Sequence, residues 1–180
     1  MKNFKEDLKD AICNEDISFL QTNEKEYSVN ERFEDENNDT LLLYSLSDSK
    51  SNAYKYFLKK NADSTLLNDD GENVIHSIVY SGDPERLPAF LSEGNINHQS
   101  KDGTTPLLLA IALEKDTIAH LLIEHGADVN IADQEGNAPI HIAAHLGKID
   151  LVSVLFDKGA SVLAKTKKGN LPLALAVNAA

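Results

Sequence analysis

One phrase of sequence returns along this chain at a nearly constant distance. Gly136-Asn137-Ala138-Pro139-Ile140-His141-Ile142-Ala143-Ala144 is followed by Gly159-Ala160. Gly103-Thr104-Thr105-Pro106-Leu107 ends in Ala110 and is answered by Gly126-Ala127-Asp128-Val129-Asn130. Gly71-Glu72-Asn73-Val74-Ile75-His76 comes earlier, Gly169-Asn170-Leu171-Pro172-Leu173 later, and a weaker copy, Asn38-Asp39-Thr40-Leu41-Leu42, stands near the start. Positions 40, 73, 105, 138 and 171 are therefore equivalent, with steps of 33, 32, 33 and 33 residues. Units this short bury an apolar face only by stacking on their neighbours, so the copies must share a core.

Each copy reads as turn, helix, helix. Thr105 offers a hydroxyl to cap a helix N-terminus, and Pro106 takes the first helical position, where its missing N–H costs nothing. Leu107, Leu109 and Ala110 then face the neighbouring copy. Ala110, Ala143 and Ala176 occupy one equivalent site, small because adjacent first helices approach closely there. The second helix carries the bulk: Ile118, Leu121 and Leu122 in one copy, Leu151, Val154 and Leu155 in the next. Gly126 and Gly159 stop it, as a glycine in the left-handed conformation does.

A 33-residue period with a T-P-L-H-x-A core and a G-A-D-V-N tail resembles the ankyrin repeat family. The resemblance implies an all-α solenoid, with a β-turn and an antiparallel helix pair per repeat, in a curved right-handed stack. It places repeats at 35–67, 68–99, 100–132 and 133–165, with an incomplete one at 166–180. Residues 1–34 fit only as a degenerate N-terminal capping repeat and linker.

The departures from the pattern carry their own expectations. Phe4, Leu8, Ala11 and Ile12 lie at helical spacing, while Lys2, Lys5, Glu6, Lys9 and Asp10 supply the polar outer face a terminal repeat needs. Gln21 to Asp35 is polar, and its Val29-Asn30 sits two residues out of phase, which predicts a bulged or loosely ordered linker. Asn61 stands where later repeats have glycine; asparagine tolerates the left-handed conformation, so the stop survives. Pro88 follows Pro84 by four residues, which predicts a late start or a kink in that outer helix. The same repeat is one residue short around Asn95. At the far end, Leu173, Leu175 and Val177 form an apolar flank with no second helix to cover it, the expectation for a fragment of a longer protein.

With 42% hydrophobic residues the chain can bury a core, so a net charge of −12 does not make it a disordered acidic tail. That acidic excess disfavours binding to a phosphate backbone, which needs clustered Lys and Arg; neither nucleic acid nor a membrane is expected as partner. No run of about 18 apolar residues spans a bilayer and no signal-peptide pattern opens the chain. A single cysteine, Cys13, excludes an internal disulfide, fits a reducing, cytoplasmic compartment (or a host cytoplasm, for a secreted effector), and reads as a small buried apolar group. His141 and His145 stand four apart on a helix, a metal-binding spacing, but no carboxylate or cysteine completes a site. The resemblance implies instead that His141 and His76 hydrogen-bond the turn. No nucleophile–base pair or phosphate-cradling loop can be assembled, so no cofactor, metal or catalytic residue is assigned, and any catalytic activity lies outside this chain.

Ankyrin proteins usually bind their partners on the concave face, built from turn tips and the exposed side of each first helix. Carried over residue by residue, those positions make Asp69, Asp70, Glu72, Tyr80, Lys101, Asp102, Thr104, Leu113, Gln134, Glu135, Asn137, His145 and Leu146 the candidate partner-binding set. The wider face adds acidic residues such as Glu34, Glu36 and Asp39 at one end and Lys165, Lys167 and Lys168, beside Asn170, at the other. Repeat by repeat its charge runs −4, −3, 0, −1 and +3. Tyr80, Leu113 and Leu146 recur at equivalent or adjacent positions, an apolar stripe in a polar rim suited to anchoring an interface. The expected function is a non-enzymatic protein-interaction module for a protein or peptide, basic toward the N-terminal end and acidic toward the C-terminal end. The alternatives are the targeting region of a larger enzyme or secreted bacterial effector, and self-association of an otherwise monomeric chain through its uncapped end.

Overall fold

The computed structural model describes residues 4–34, 37–91 and 96–178. Lys2, Glu36, the shortened stretch around Asn95 and the side chain of Val177 lie outside the described residues. Regular structure among the described residues is helical, apart from one isolated antiparallel bridge between Arg32 and Thr40. The chain forms two compact units, Met1–Ser81 and Gly82–Ala180.

The first unit contains α1 (Phe4–Cys13), α2 (Ile17–Thr22), α3 (Leu41–Ser47), α4 (Ala53–Lys59) and α5 (Val74–Ser81). Helix α3 packs on both α4 and α5, and α1 on α2. Leu8, Ile12, Leu20, Leu41, Leu42, Leu43, Leu46, Phe57, Ile75 and Ile78 are all buried. The helix starts follow the repeat: Thr40 Oγ1 accepts the Leu43 N–H at 3.2 Å, and Asn73 Oδ1 accepts the His76 N–H at 3.2 Å. Asn61 adopts φ +59°, the left-handed stop expected in place of glycine.

The linker differs from its sequence expectation. Its described end is anchored rather than loose, because Phe33 is completely buried and meets Tyr44 edge-on at 4.8 Å between ring centroids. Phe33 N donates to Asp39 O and Leu41 N to Glu31 O, closing a turn. Arg32 Nη1 donates to the carbonyls of Asn38 (2.8 Å) and Leu67 (2.9 Å). Asn30, despite its offset, caps the next loop through Oδ1 and the Asp63 N–H at 2.9 Å. The two-residue offset is absorbed by shifting the contact along the chain. Cys13 also corrects its expectation: it is exposed, with Sγ 3.7 Å from the Tyr44 hydroxyl, because the inward positions of α1 are already filled by Leu8, Ala11 and Ile12.

The second unit contains a 3₁₀ helix (Pro84–Ala89), α6 (Pro106–Ala112), α7 (Asp116–Glu124), α8 (Pro139–His145), α9 (Ile149–Asp157) and α10 (Pro172–Asn178). Helices α6, α8 and α10 pack in sequence as an inner row, while the 3₁₀ helix, α7 and α9 form an outer row. Ala110 and Ala143 are fully buried, consistent with the close approach of first helices. The segment at Pro84 neither starts late nor kinks. It begins at Pro84 and winds as a 3₁₀ helix, because an α-helix there would drive the Pro88 ring into the Pro84 carbonyl. Its Arg86 is buried, with Nε donating to Asp83 Oδ2 at 2.9 Å. The starts of α7 and α9 are tied together by Lys148, whose ammonium lies 2.9 Å from Glu114 and 3.0 Å from Asp116.

Candidate protein-interaction surface

The turn tips before α5, α6, α8 and α10 are built by a polar side chain five residues before the helix cap. Asn68 Oδ1 accepts the N–H groups of Asp70 (3.1 Å) and Glu72 (2.8 Å), and Asp133 Oδ1 those of Glu135 (2.9 Å) and Asn137 (2.8 Å). At the equivalent Ser100 the work is shared, its hydroxyl donating to Asp102 Oδ1 at 2.6 Å while that carboxylate accepts the Thr104 N–H at 3.0 Å. These bonds, the Ser100 hydroxyl first, hold the Asp102 carboxyl below the usual aspartate range. Its contribution to the turn is thus present above the ordinary aspartate range and is lost as pH falls through the lowered value. Thr166 Oγ1 accepts the Asn170 N–H at 3.2 Å.

Within each unit the tips are joined by backbone hydrogen bonds. Asp69 N donates to Asn37 O in the first unit; in the second, Gln134 N donates to Asp102 O and Lys167 N to Glu135 O, each at 2.9 Å. Such close approach requires glycine. A Cβ at Gly103 would stand 2.8 Å from Gln134 N, and one at Gly136 2.9 Å from Lys167 N. Both glycines also have positive φ, +84° and +80°.

The loops at the other end of the repeats are stitched by asparagines. Asn97 Oδ1 accepts the Asp128 N–H at 2.8 Å; Asn130 Oδ1 accepts the Ser161 N–H at 3.0 Å while its Nδ2 donates to Gly159 O at 3.1 Å. His141 is fully buried. Its Nδ1 accepts the Ala138 N–H at 3.1 Å, a side chain three residues on reaching back to the cap's own amide, and its Nε2 lies 3.0 Å from Ala164 O, so the ring carries its proton there. That is the turn-bonding role the resemblance implied.

All thirteen candidate partner-binding residues reach the surface at least in part. In the first unit Asp69 and Asp70 are exposed and Glu72 half-buried. Tyr80, 45% exposed, donates its hydroxyl to Glu72 Oε1 at 2.6 Å, while Glu72 Oε2 accepts from Asn68 Nδ2 at 3.0 Å. The tyrosine ring is thereby braced against its own turn tip. In the second unit Lys101, Asp102, Gln134, Glu135 and His145 are exposed, and Thr104 and Asn137 half-buried. Leu113 (41% exposed) and Leu146 (37%) cap the ends of the neighbouring helices α6 and α8. Glu135, Asn137 and His145 come together around a hollow of about 340 Å³ that is also lined by Ile142, Leu175, Lys168 and Asn170. Leu113 and Leu146 stand outside it. Sequence reasoning missed Asn68, Asp133 and Thr166, which hold the tips, although a hydrogen-bonding side chain recurring five residues before each cap was a readable signal.

A model of the family described as ankyrin repeats (3 copies) matches residues 75–166, half of the chain. The chain belongs to the ankyrin-repeat family. Among its relatives, ankyrin repeat domain-containing protein 13C of mouse and of human is 39% identical over 57 residues, 32% of this chain and 10% of that protein. Phosphocholine transferase AnkX of Legionella pneumophila is 30% identical over 96 residues, 51% of this chain and 10% of AnkX. Putative ankyrin repeat protein L371 of Acanthamoeba polyphaga mimivirus is 29% identical over 91 residues, 50% of this chain and 12% of that protein. This chain thus aligns with about a tenth of the length of each of these relatives. The all-α ankyrin fold expected from the repeat is the fold observed, and ankyrin repeats are protein-interaction modules, generally non-catalytic. Among the described residues no three His, Cys, Asp or Glu side chains converge to hold a metal, and no helix is long and apolar enough to cross a membrane.

Proposed function

We propose that this chain binds a protein or peptide on the concave face that ankyrin stacking implies, using the turn tips and the exposed ends of the first helices, and that it does so without chemistry of its own. The repeat boundaries inferred from the 33-residue phase and a cytoplasmic location belong to the same reading. The observation that carries it is the pairing of rigid turn tips with exposed apolar side chains: Tyr80, Leu113 and Leu146 are large, more than a third exposed, and mounted on elements whose polar groups are hydrogen-bonded. Preorganised aromatic and aliphatic anchors lose little entropy on binding. Tyr80→Ala should weaken capture of the partner by about 1–2 kcal/mol, and Tyr80→Phe by less, since the ring remains. Reversing Asp69, Asp70 and Glu72 to lysine should slow association with a basic partner, most at low salt. Titration calorimetry and salt-dependent association rates check both; wild-type affinity in the Tyr80→Ala chain, with unaltered low-salt rates in the reversal, removes the reading.

A second reading has its own observation. At the end of the second unit Leu173 (74% exposed), Val162 (45%) and Ile149 (80%) line an almost wholly apolar groove of about 380 Å³ between α8, α9 and α10. Apolar surface of this kind marks a contact with another polypeptide. Covered by a second copy, it predicts a light-scattering mass that rises with concentration and falls to the monomer in Leu173→Glu; a constant monomer mass in the unaltered chain refutes self-association. Covered by further chain, it accords with the length of the relatives and with a targeting role inside a larger enzyme or effector.

A further inference from the structure

The hollow in the second unit has a chemical character that narrows the partner. Its wall carries the Lys168 ammonium, the Asn170 side-chain amide and the His145 ring, none of which, among the described residues, enters a hydrogen bond or ion pair. Lys165 and Lys167, both exposed, share the turn tip with Lys168. The lining also holds one carboxylate, Glu135, and two aliphatic side chains, Ile142 and Leu175. Other polar groups of the lining already have partners: His141 bonds Ala138 and Ala164, the Thr166 hydroxyl accepts from Asn170 N, and Asn137 Nδ2 donates to Asp133. At about 340 Å³ the space has room for one or two side chains rather than a folded element.

We propose that this hollow recognises an acidic-aliphatic peptide, a Glu or Asp carboxylate meeting Lys168 and Asn170 while an adjacent Leu, Ile or Val side chain lies on Ile142 and Leu175. The proposal rests on the interaction-module reading and adds to it the chemistry of one end of the partner. Three lysines against one glutamate leave a local excess of positive charge in a chain that is otherwise acidic, so an acidic segment is drawn to this end and repelled elsewhere. A carboxylate fits better than a phosphate. The one arginine described in this unit, Arg86, is buried against Asp83, leaving no guanidinium fork, and Glu135 repels a doubly charged group more strongly.

The test uses the full chain and four fluorescein-labelled, end-blocked nonapeptides built on a Gly/Ser background, carrying Glu-Leu, Lys-Leu, Glu-Ser or phosphoserine-Leu at the centre. By fluorescence anisotropy the Glu-Leu peptide should bind about tenfold more tightly than the Lys-Leu or Glu-Ser peptide, and less tightly as salt is raised. Lys168→Glu should weaken it about tenfold, Leu175→Ser severalfold, and Glu135→Gln should tighten it about twofold. Lys168 and Glu135 are exposed, so these variants fold, and circular dichroism verifies it. Equal binding of the Lys-Leu peptide, tighter binding of the phosphoserine peptide, indifference to Lys168→Glu, or no saturable binding up to about 1 mM each overturns the proposal. A protein partner whose affinity depends on Tyr80 and ignores Lys168→Glu would overturn it too, while leaving the interaction-module reading intact.

Discussion

Gly136→Ala is expected to lower the unfolding free energy by about 2–4 kcal/mol and to push apart a pair of turn tips on the proposed interaction surface. Two terms add. The φ of +80° holds any L side chain in the left-handed region, at about 1–2 kcal/mol. The new methyl would also stand 2.9 Å from Lys167 N, a backbone atom that cannot rotate away, so the Lys167 N–H to Glu135 O bond must stretch or break. Gly159→Ala supplies the control, because its φ of +89° imposes the same strain while no atom lies within 4 Å of the added Cβ. Urea unfolding of the two variants separates conformational strain from close approach, and amide exchange at Lys167 reports the broken bond directly. Equal losses at 136 and 159 would mean that the tips are not in fact held by backbone contact. The same variant should weaken any ligand of the hollow beside Glu135 and Lys168, which is lined by the tips being separated.

Phe33→Ala is expected to cost about 3–5 kcal/mol, the range for deleting a fully buried aromatic ring. The ring ties two elements of the first unit together: Phe33 comes from the linker, is completely buried, and meets Tyr44 of α3 edge-on. Truncation leaves a cavity against α3 and removes the anchor that brings Asn30 and Arg32 to the loop carbonyls and amides they bond. Phe33→Leu, which refills most of the space, should cost less than half as much. Denaturant midpoints followed by circular dichroism check both. A midpoint unchanged by Phe33→Ala would show that the linker drapes over the unit without contributing to its core.

Positions 40, 73, 105, 138 and 171 each stand immediately before a helix, α3, α5, α6, α8 and α10 in turn. That much was legible because helix starts and stops are local chemistry: a hydroxyl or amide for the first free N–H groups, proline where no N–H is needed, and Asn61 or glycine where the chain must turn left-handed. The exposure of Tyr80, Leu113 and Leu146 was legible for a related reason, since a fixed phase on a short helix fixes which side faces a neighbour. The polar linker was not. Nothing in the polar stretch around Phe33 sets a phase, so its complete burial comes from what packs beside it.

The sequence by itself determined the repeat, its phase, the all-α fold and the residues that cap and end each helix, because those depend on groups a few residues apart. Tertiary structure alone decided that Asn30 reaches Asp63 in spite of its offset, that Cys13 is outside, and that Glu135, Asn137 and His145 share a hollow with Lys168, Asn170 and two aliphatic side chains. These are contacts between residues far apart along the chain. They exist because buried area and hydrogen-bond satisfaction are settled over the whole packed unit, where a polar or apolar side chain takes whichever partner its neighbours leave within reach.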